Sequence, residues 1–395
     1  MVQCSAAKLS TVPVESSKRR ILLVTNDLGP RAGGIETFIL GLLAQLKGED
    51  IAIYTSSQEG DLEFDLELKK KYSVEVIRDK SKVLLPSPRV TRNVIKVMKR
   101  FDSEIIWFGA AAPLAWMSPR LRSAGAKKIV ALTHGHEVWW AKLFPFNLAM
   151  RRIGNSVDVI TYLGEYTKSA MVKALGGQPS LVQIAPGIDV EHFKPVAKSS
   201  DLIEKYGLQD NLVIMCVGRL VHRKGQDKLI EAMPSILKSN PNAVLVLIGA
   251  GPRAKKLESL VAKYKIYSNV LFLGRVSYEE LPEHLAMADL FIMPSRSRFF
   301  GLEVEGLGIV YLEASSCGLP VIAGESGGAP DAVRIGETGF LVDGTNPNEI
   351  AKVVSSALSD LPKLKKMGEE GRRWAVENWS WAIWGKKFAE LLTLN

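Results

Sequence analysis

The chain has 395 residues, of which 47% are hydrophobic and 24% charged, a composition typical of globular proteins of roughly two or three domains. Its three cysteines, Cys4, Cys216 and Cys317, are widely separated, which argues against a disulfide framework or a Cys-x-x-Cys metal site and favours a reducing cytoplasm. No apolar run reaches the ~18 residues that a membrane span requires. Residues 1–17 lack the apolar core of a signal peptide, and we expect them to form a disordered leader.

The net charge of +9 is concentrated in the first half of the chain. Residues 1–190 contain 26 Lys and Arg against 18 Asp and Glu, whereas the remainder is nearly neutral. A basic half indicates an anionic partner, either nucleic acid or an acidic membrane surface. The alternative is that solvated lysines only keep this domain soluble.

The first half of the chain alternates buried strands with helices. A strand at 19–26 is followed by a glycine turn at 27–35 and a helix at 36–46, an order that opens a doubly wound α/β domain. Further strands, with helical stretches between most of them, are predicted at 51–55, 74–77, 104–108, 129–133, 157–162 and 181–185.

A second alternation begins after a linker near residue 190. The predicted strands lie at 212–217, 243–248, 270–273, 290–293 and 321–323. The predicted helices lie at 225–237, 253–264, 282–288, 358–378 and 379–394, and one more begins at about residue 308. We therefore predict two Rossmann-like domains, 18–190 and 191–378, that face each other across a cleft. Ligands of such sheets bind at the carboxyl ends of the strands.

The stretch 300–329 has the most distinctive pattern in the chain. Glu305 and Glu313 are separated by seven residues, and Gly306 and Gly308 lie between them. A helix that opens at about Gly308 exposes backbone N–H groups and the positive end of its dipole, which suits a phosphate. The flanking carboxylates would bind sugar hydroxyls and ribose hydroxyls. The alternative is a solvated glutamate pair that has this spacing by chance.

The loop at 218–225 (GRLVHRKG) follows the first strand of the second domain. Arg219 and Lys224 are five residues apart, so both side chains can reach one diphosphate, Arg as a fork and Lys as a point charge. An ordinary exposed basic loop is the alternative.

Three further glycine-containing turns follow predicted strands. Gly33-Gly34 would let the backbone approach a substrate closely. The turn at Gly251 lacks the third glycine and the acidic residue of a dinucleotide fingerprint, so it predicts only a turn near a nucleotide. Arg275 and Val276 follow another strand.

His134, His136 and Glu137 (THGHE) follow the strand at 129–133. They supply two or three ligands at most, and no companion histidine is evident, so we predict no metal site here. The turn GESGG contains the G-x-S-x-G pattern of hydrolases around Ser326, but no histidine follows it, which argues against a serine hydrolase.

The segment 89–101 (RVTRNVIKVMKRF) predicts a basic amphipathic helix. Its basic residues recur at steps of three and four, which predicts a face for an anionic membrane; a solvated face is the alternative. The residues are Arg89, Arg92, Lys96, Lys99 and Arg100.

Together, these motifs resemble the family-4 glycosyltransferases, retaining enzymes of the GT-B fold, over nearly all of residues 19–390. GRLVHRKG and the Glu-x7-Glu segment resemble the family as a whole. VTNDLGPRAGGIE, IWFGAAAPLAWM and THGHEVWW are similar to its phosphatidylinositol mannoside mannosyltransferase group. The departures are the longer leader and Arg298-Phe299-Phe300, which stands where the family has a smaller, glycine-rich segment.

The resemblance implies the transfer of mannose from GDP-mannose to phosphatidylinositol monomannoside, with an alpha-1,6 linkage, at the inner face of the plasma membrane. It implies a first domain that binds acceptor and membrane, a donor domain, and a last helix, 379–395, that returns to the first domain. It implies neither a cofactor nor a nucleic-acid partner. The absence of an Asp-x-Asp triplet fits a metal-independent diphosphate site, although a divalent metal is not excluded.

Individual roles also follow from the resemblance. The implied catalytic residues are His134, Glu305, Arg219 and Lys224. The implied donor-binding residues are Gly34, Arg219, Lys224, Gly251, Arg275, Val276, Glu305, Gly308, Ile309 and Glu313. Asp27 is assigned to the acceptor, together with the basic helix.

Two alternatives remain at this stage. The chain could transfer another sugar, such as glucose from UDP-glucose, to a different lipid or small acceptor. It could also be a catalytically silent scaffold that binds nucleotide or membrane. The sequence does not give the oligomeric state.

Overall fold

The protein is described by a computed structural model that covers residues 18–30, 33–177 and 179–394. The predicted leader, 1–17, lies outside the described residues. Two parallel sheets, each flanked by helices, form two domains. This confirms the prediction of two Rossmann-like domains.

The first domain is built on a seven-stranded sheet with the order β3-β2-β1-β4-β5-β6-β7. Its central strand β4 is wholly apolar and buried, and its neighbours β1 and β5 are mostly so, as expected for a doubly wound sheet. Ile21 is in register with Ile51 on one side and with Ile105 on the other. The strands are β1 (Arg20–Thr25), β2 (Asp50–Ser56), β3 (Glu75–Asp79), β4 (Ile105–Phe108), β5 (Lys128–Ala131), β6 (Val159–Tyr162) and β7 (Ser180–Gln183).

Seven described helices accompany this sheet. They are α1 (Gly34–Gln45), α2 (Asp61–Tyr72), α3 (Pro88–Arg100), α4 (Ser118–Ser123), α5 (Glu137–Lys142), α6 (Phe146–Gly154) and α7 (Glu165–Leu175). Helix α1 begins two residues earlier than predicted, because Gly33 provides the extended N-terminal cap and the Glu36 carboxylate accepts a hydrogen bond from the Gly33 N–H.

The second domain has a six-stranded sheet with the order β10-β9-β8-β11-β12-β13. Its strands are β8 (Leu212–Val217), β9 (Ala243–Ile248), β10 (Val270–Gly274), β11 (Leu290–Met293), β12 (Val321–Gly324) and β13 (Gly339–Val342). The helices are α8 (Ser200–Lys205), α9 (Gln226–Ser239), α10 (Ala254–Tyr264), α11 (Leu281–Ala286), α12 (Ile309–Ser316), α13 (Pro347–Leu358), α14 (Leu361–Trp379) and α15 (Trp381–Leu391).

The sequence pattern did not predict β13 or α13. Strand β13 begins with Gly339 and has only three apolar residues after it, a weaker signal than the apolar run of β11. The predicted helix at 358–378 begins instead at Leu361, because the side chain of Asp360 caps the Lys363 N–H and Pro follows at the second helical position.

The last helix packs on the first domain rather than on the second. Phe388 of α15 meets the buried Trp107 of β4 with ring centroids 4.8 Å apart. A Cβ on Gly41 of α1 would lie 2.1 Å from the ring of Trp381, so the close approach of the two helices requires glycine there. No described helix is long and apolar enough to cross a membrane.

Candidate active site

The carboxyl ends of the two sheets meet at a cleft where the domain backbones touch. A Cβ on Gly306, in the loop after β11, would lie 3.2 Å from the carbonyl oxygen of His134, which follows β5. Glycine at this point therefore allows the predicted first-domain histidine and the second-domain glutamate loop to share one site.

The loop that follows β8 places its three Arg and Lys side chains differently. Lys224 is buried, and its ammonium lies 2.9 Å from a carboxylate oxygen of Glu305. Arg223 lies 3.5 Å from the same carboxylate. Arg219 is exposed and forms no ion pair with the described residues, so its guanidinium can accept an anion.

Glu305 is buried, and the glycine-rich turn at 324–328 forms hydrogen bonds to its backbone. The backbone N–H of Glu305 donates to the Ser326 hydroxyl, and its carbonyl accepts from the Gly328 N–H at 2.9 Å. A Cβ on Gly327 would lie 2.2 Å from that carbonyl oxygen. The GESGG turn, which has a hydrolase-like pattern, therefore holds the backbone of Glu305 in place. This close backbone contact accounts for the glycines of the turn, and Ser326 needs no role as a nucleophile.

Helix α12 begins, as predicted, immediately after Gly308, which has the left-handed φ of 81°. Ile309 is the first helical residue. One turn further, burial raises the pKa of Glu313 to about 7, although the charge of Lys224 acts in the opposite direction. Glu313 is therefore close to half ionised at neutral pH.

The second glycine turn supports the basic loop. A Cβ on Gly251 would lie 2.4 Å from the carbonyl oxygen of Leu220, and the Leu220 N–H donates to Ala250. After β10, Arg275 is exposed and Val276 is half-buried. Within the described structure, no hydrogen bond or ion pair joins Arg275 or Val276 to the Lys224–Glu305 pair. The donor-binding roles of Gly251, Arg275 and Val276 stay predictions.

His134 lies on the first-domain side of the cleft. Its Nε2 is 2.5 Å from the carbonyl oxygen of Gly109, so Nε2 carries the proton and donates. Burial lowers the pKa of His134, which keeps the imidazole neutral. Glu137 accepts from the His134 N–H, and its other carboxylate oxygen lies 3.3 Å from Nε2 of His136. Nowhere in the described part of the chain are three His, Cys, Asp or Glu side chains grouped to hold a metal ion.

A cavity of about 830 Å³ opens between the ends of β1 and β3 and the basic loop. Asp27, Gly33 and Gly34 line one side, and Arg219 lines the other. The structure thus brings together the predicted acceptor residue, the first glycine turn and the exposed arginine.

Two further cations in this cavity were missed from the sequence. Lys80 and Lys82, in the loop after β3, line it and are exposed without ion pairs to described residues. They are distant in sequence from Asp27 and Arg219, and no motif marks them. Only the neighbouring ends of parallel strands β1, β2 and β3 bring them there.

The basic helix forms as predicted, as α3, but part of its charge is used within the protein. Arg89 pairs with the buried Asp79 at 2.9 Å, and Arg100 pairs with Glu75. The Arg89 guanidinium holds the pKa of the Asp79 carboxyl well below its usual range. Three basic residues of α3 have no ion pair within the described structure: Arg92, Lys96 and Lys99.

Comparison with known proteins agrees with this arrangement. Residues 32–192 match the model of Glycosyltransferase Family 4, and residues 199–374 match that of Glycosyl transferases group 1. The protein HepE from Anabaena, solved in complex with UDP, superposes with a TM-score of 0.78 at 20% identity, over 94% of this chain and 99% of its own. The sucrose-phosphate synthase of Thermosynechococcus elongatus has a TM-score of 0.76 at 20% identity, covering 95% of this chain and 98% of its own. These likenesses confirm the GT-B fold.

Two curated relatives are much more similar in sequence. A Mycolicibacterium smegmatis protein, the GDP-mannose-dependent alpha-(1-6)-phosphatidylinositol monomannoside mannosyltransferase, is 43% identical over 94% of this chain and 98% of its own length. A Corynebacterium glutamicum protein, described as acting on the monoacylated monomannoside, is 40% identical over 95% of this chain and 98% of its own length. The chain therefore belongs to the family-4 glycosyltransferases and, within them, to the phosphatidylinositol monomannoside mannosyltransferase family.

Proposed function

We propose that this protein transfers mannose from GDP-mannose to phosphatidylinositol monomannoside with retention of the anomeric configuration, forming an alpha-1,6 linkage. The observation that carries the proposal is the arrangement around the cavity. Arg219 faces Asp27 and Gly34 across it, and the Lys224–Glu305 pair lies in the adjoining loops. The names of the 40–43% identical relatives give the donor and acceptor.

In this proposal the second domain binds the donor. Arg219 and Lys224 neutralise the charge that develops on the diphosphate as the bond between C1 of mannose and the β-phosphate oxygen breaks. The N-terminus of α12 adds its dipole at Gly308 and Ile309. Glu305 binds mannose hydroxyls, and Glu313 binds the ribose.

The acceptor hydroxyl attacks C1 on the face from which the diphosphate leaves. Its proton passes to the leaving phosphate oxygen, so atoms and charge balance without a protein nucleophile. His134 is neutral because burial lowers its pKa, so it adds no positive charge beside a sugar ring that becomes cationic.

The acceptor's charge suits the first-domain side of the cavity. A phosphatidylinositol headgroup is a phosphodiester, and Lys80 and Lys82 supply two unpaired cations on the cavity wall. Asp27 would accept hydrogen bonds from sugar or inositol hydroxyls. The unpaired basic residues of α3 would attract the anionic inner leaflet of the plasma membrane, to which the protein would attach from the cytoplasm.

Calorimetric titration with GDP, UDP and ADP, followed by GDP-mannose, tests the donor. We expect GDP and GDP-mannose to bind at least tenfold more tightly than the other two nucleotides. A preference for UDP would replace the proposed donor with a sugar such as UDP-glucose, and binding of none would favour a catalytically silent scaffold.

A further inference from the structure

Two pairs of exposed apolar residues, one from each domain, lie in segments that a hydrogen bond joins across the cleft. Lys142, at the end of α5, donates from its ammonium to the carbonyl oxygen of Gly301 at 3.2 Å. Leu143 and Phe144 follow Lys142 directly, and Phe299 and Phe300 precede Gly301 directly. This hydrogen bond therefore brings the two segments that carry the apolar pairs close together. We call these four residues, Leu143, Phe144, Phe299 and Phe300, the apolar rim.

The rim is strongly exposed. Phe144 is 78% exposed, Phe299 is 60% exposed, and Phe300 is fully exposed. Single exposed apolar residues are normal on a soluble protein, but a contiguous group at the entrance of a site marks an interaction surface.

The second-domain half of the rim is a built turn. Phe299 and Phe300 both have left-handed backbone angles, φ 48° and 54°, which are unfavourable for aromatic residues. The turn is fixed at its base, where Arg298 and Glu303 exchange two backbone hydrogen bonds and form a side-chain ion pair at 2.9 Å. Arg298 also covers one face of the Phe299 ring, at 4.6 Å. The surrounding hydrogen bonds and ion pair hold this unfavourable backbone conformation, and two aromatic rings are exposed as a result. Strain that is maintained in this way indicates a function for the two rings.

The first-domain half continues into an apolar groove of about 390 Å³. Trp140 and Phe146 line it with their rings 5.0 Å apart, and Trp116 lines it under the guanidinium of Arg152. The groove reaches Pro86, two residues before α3. The groove thus extends from the first-domain half of the rim towards the start of α3.

The charges beside the first-domain half of the rim are positive. Between Lys142 and Arg152 the chain contains three basic residues and no acidic residue. Aromatic rings beside Lys and Arg suit the interface of an anionic membrane, because the rings enter the boundary between headgroups and acyl chains while the cations remain among the phosphates.

We propose that the apolar rim inserts into an anionic phospholipid leaflet and presses the mouth of the cleft against the membrane. A lipid acceptor then reaches the cavity without leaving the bilayer. This inference rests on the proposed lipid acceptor and adds a docking surface distinct from the basic helix.

The test is sedimentation with vesicles of equal parts phosphatidylcholine and phosphatidylglycerol. Phe144→Ser with Phe300→Ser should weaken vesicle binding at least tenfold, and the loss should persist in high salt, because insertion of apolar groups is not screened. Phe144→Leu with Phe300→Leu should retain most of the binding. Tyr267→Ser is the matched control: Tyr267 is 65% exposed and precedes β10, so it lies at the amino ends of the strands, opposite the cleft.

Transfer to a deacylated, water-soluble acceptor separates this inference from the proposed function. The double serine variant should keep that transfer and lose most transfer to the lipid acceptor in vesicles. Wild-type protein that fails to bind vesicles, or a double variant that binds them normally, would overturn the insertion, whatever the activity. Loss of a dimer in this variant with unchanged vesicle binding would instead assign the rim to a second copy of the chain. Failure of the wild type to transfer mannose to either acceptor would overturn the proposed function itself.

Discussion

The ammonium of Lys224 lies 2.9 Å from the carboxylate of Glu305, and both side chains are buried at the base of the cleft. The residue proposed to bind the donor diphosphate is therefore already bonded to the residue proposed to bind the donor sugar. Each charge compensates the other before the substrate arrives, and the pair keeps both groups positioned. Stability and catalysis are coupled at this point.

Replacing Lys224 alone separates the two effects only in part. Lys224→Met should lower the free energy of unfolding by about 3 kcal/mol, because it leaves a buried carboxylate without its nearest cation. The double variant Lys224→Met, Glu305→Gln should recover much of that stability but none of the activity. Urea unfolding and turnover would be measured for both variants and for Glu305→Gln, which completes the double-mutant cycle. A double variant that is no more stable than Lys224→Met would contradict the coupling.

Arg219 offers a cleaner test of diphosphate stabilisation, because its side chain is exposed and forms no ion pair with the described residues. Arg219→Ala should leave the free energy of unfolding within about 0.5 kcal/mol of wild type. It should lower kcat by roughly a hundredfold to a thousandfold, about 3–4 kcal/mol of transition-state stabilisation. Unchanged turnover in the folded variant would remove Arg219 from the proposed diphosphate site.

The pKa of Glu313 predicts a pH dependence of nucleotide binding. Burial raises this pKa to about 7, and only the deprotonated carboxylate accepts hydrogen bonds from both ribose hydroxyls. The affinity for GDP should therefore rise as pH increases through 7 and fall about tenfold per pH unit well below it. Titrations from pH 5.5 to 8.5 measure this, and Glu313→Gln should flatten the profile.

The raised pKa of Glu313 affects folding in the opposite direction: it makes the folded state less stable as pH increases. A carboxyl whose folded pKa is raised stabilises the fold at low pH, and that contribution is lost as pH rises through about 7. Glu313→Gln should thus reduce the decline of unfolding free energy between pH 6 and pH 8. A Glu313→Gln variant that keeps the wild-type pH dependence of both binding and stability would rule out Glu313 as the titrating group.

The basic helix should act through the three residues that no ion pair uses. Arg92→Gln, Lys96→Gln and Lys99→Gln together should weaken binding to anionic vesicles at low salt by about a hundredfold, since each basic residue contributes about 1 kcal/mol. Neutralising Lys363, Lys365 and Lys366 of α14 is the matched control for net charge. Equal losses in both triple variants would indicate a nonspecific effect of charge rather than a membrane face on α3.

The contact between α1 and α15 predicts a packing effect far from the chemistry. Gly41→Ala places a methyl group against the Trp381 ring and should cost about 1–3 kcal/mol of unfolding free energy, as overpacking does elsewhere. Gly41→Ala with Trp381→Leu should be less destabilised than the sum of the single changes. Strict additivity of the two changes in urea unfolding would contradict this contact.

The sequence predicted those parts of the site that are local in the chain. Arg219 and Lys224 lie in one loop, and Gly308 directly precedes α12, so strand–turn–helix order was sufficient to locate them, while their roles stay predictions. The pairing of Lys224 with Glu305 could not be predicted in this way, because the two lie in different loops that only the β8–β11 pairing brings together.

Contacts between residues that are far apart in the sequence also explain why the basic surfaces were predicted only in part. The helical pattern of α3 was sufficient to predict its basic face, but not that Arg89 and Arg100 pair with residues of β3. Lys80 and Lys82 belong to no periodic pattern, and only the sheet order reveals that they line the cavity.

The central claim is most directly tested by measuring mannose transfer. Purified protein would be given labelled GDP-mannose or UDP-glucose, with phosphatidylinositol monomannoside in anionic vesicles, and the product linkage determined by NMR. The account predicts one added mannose in an alpha-1,6 linkage from GDP-mannose, and no such transfer by an Arg219→Ala, Lys224→Met variant. Transfer from UDP-glucose instead, a beta-linked product, or wild-type transfer by that variant would contradict it.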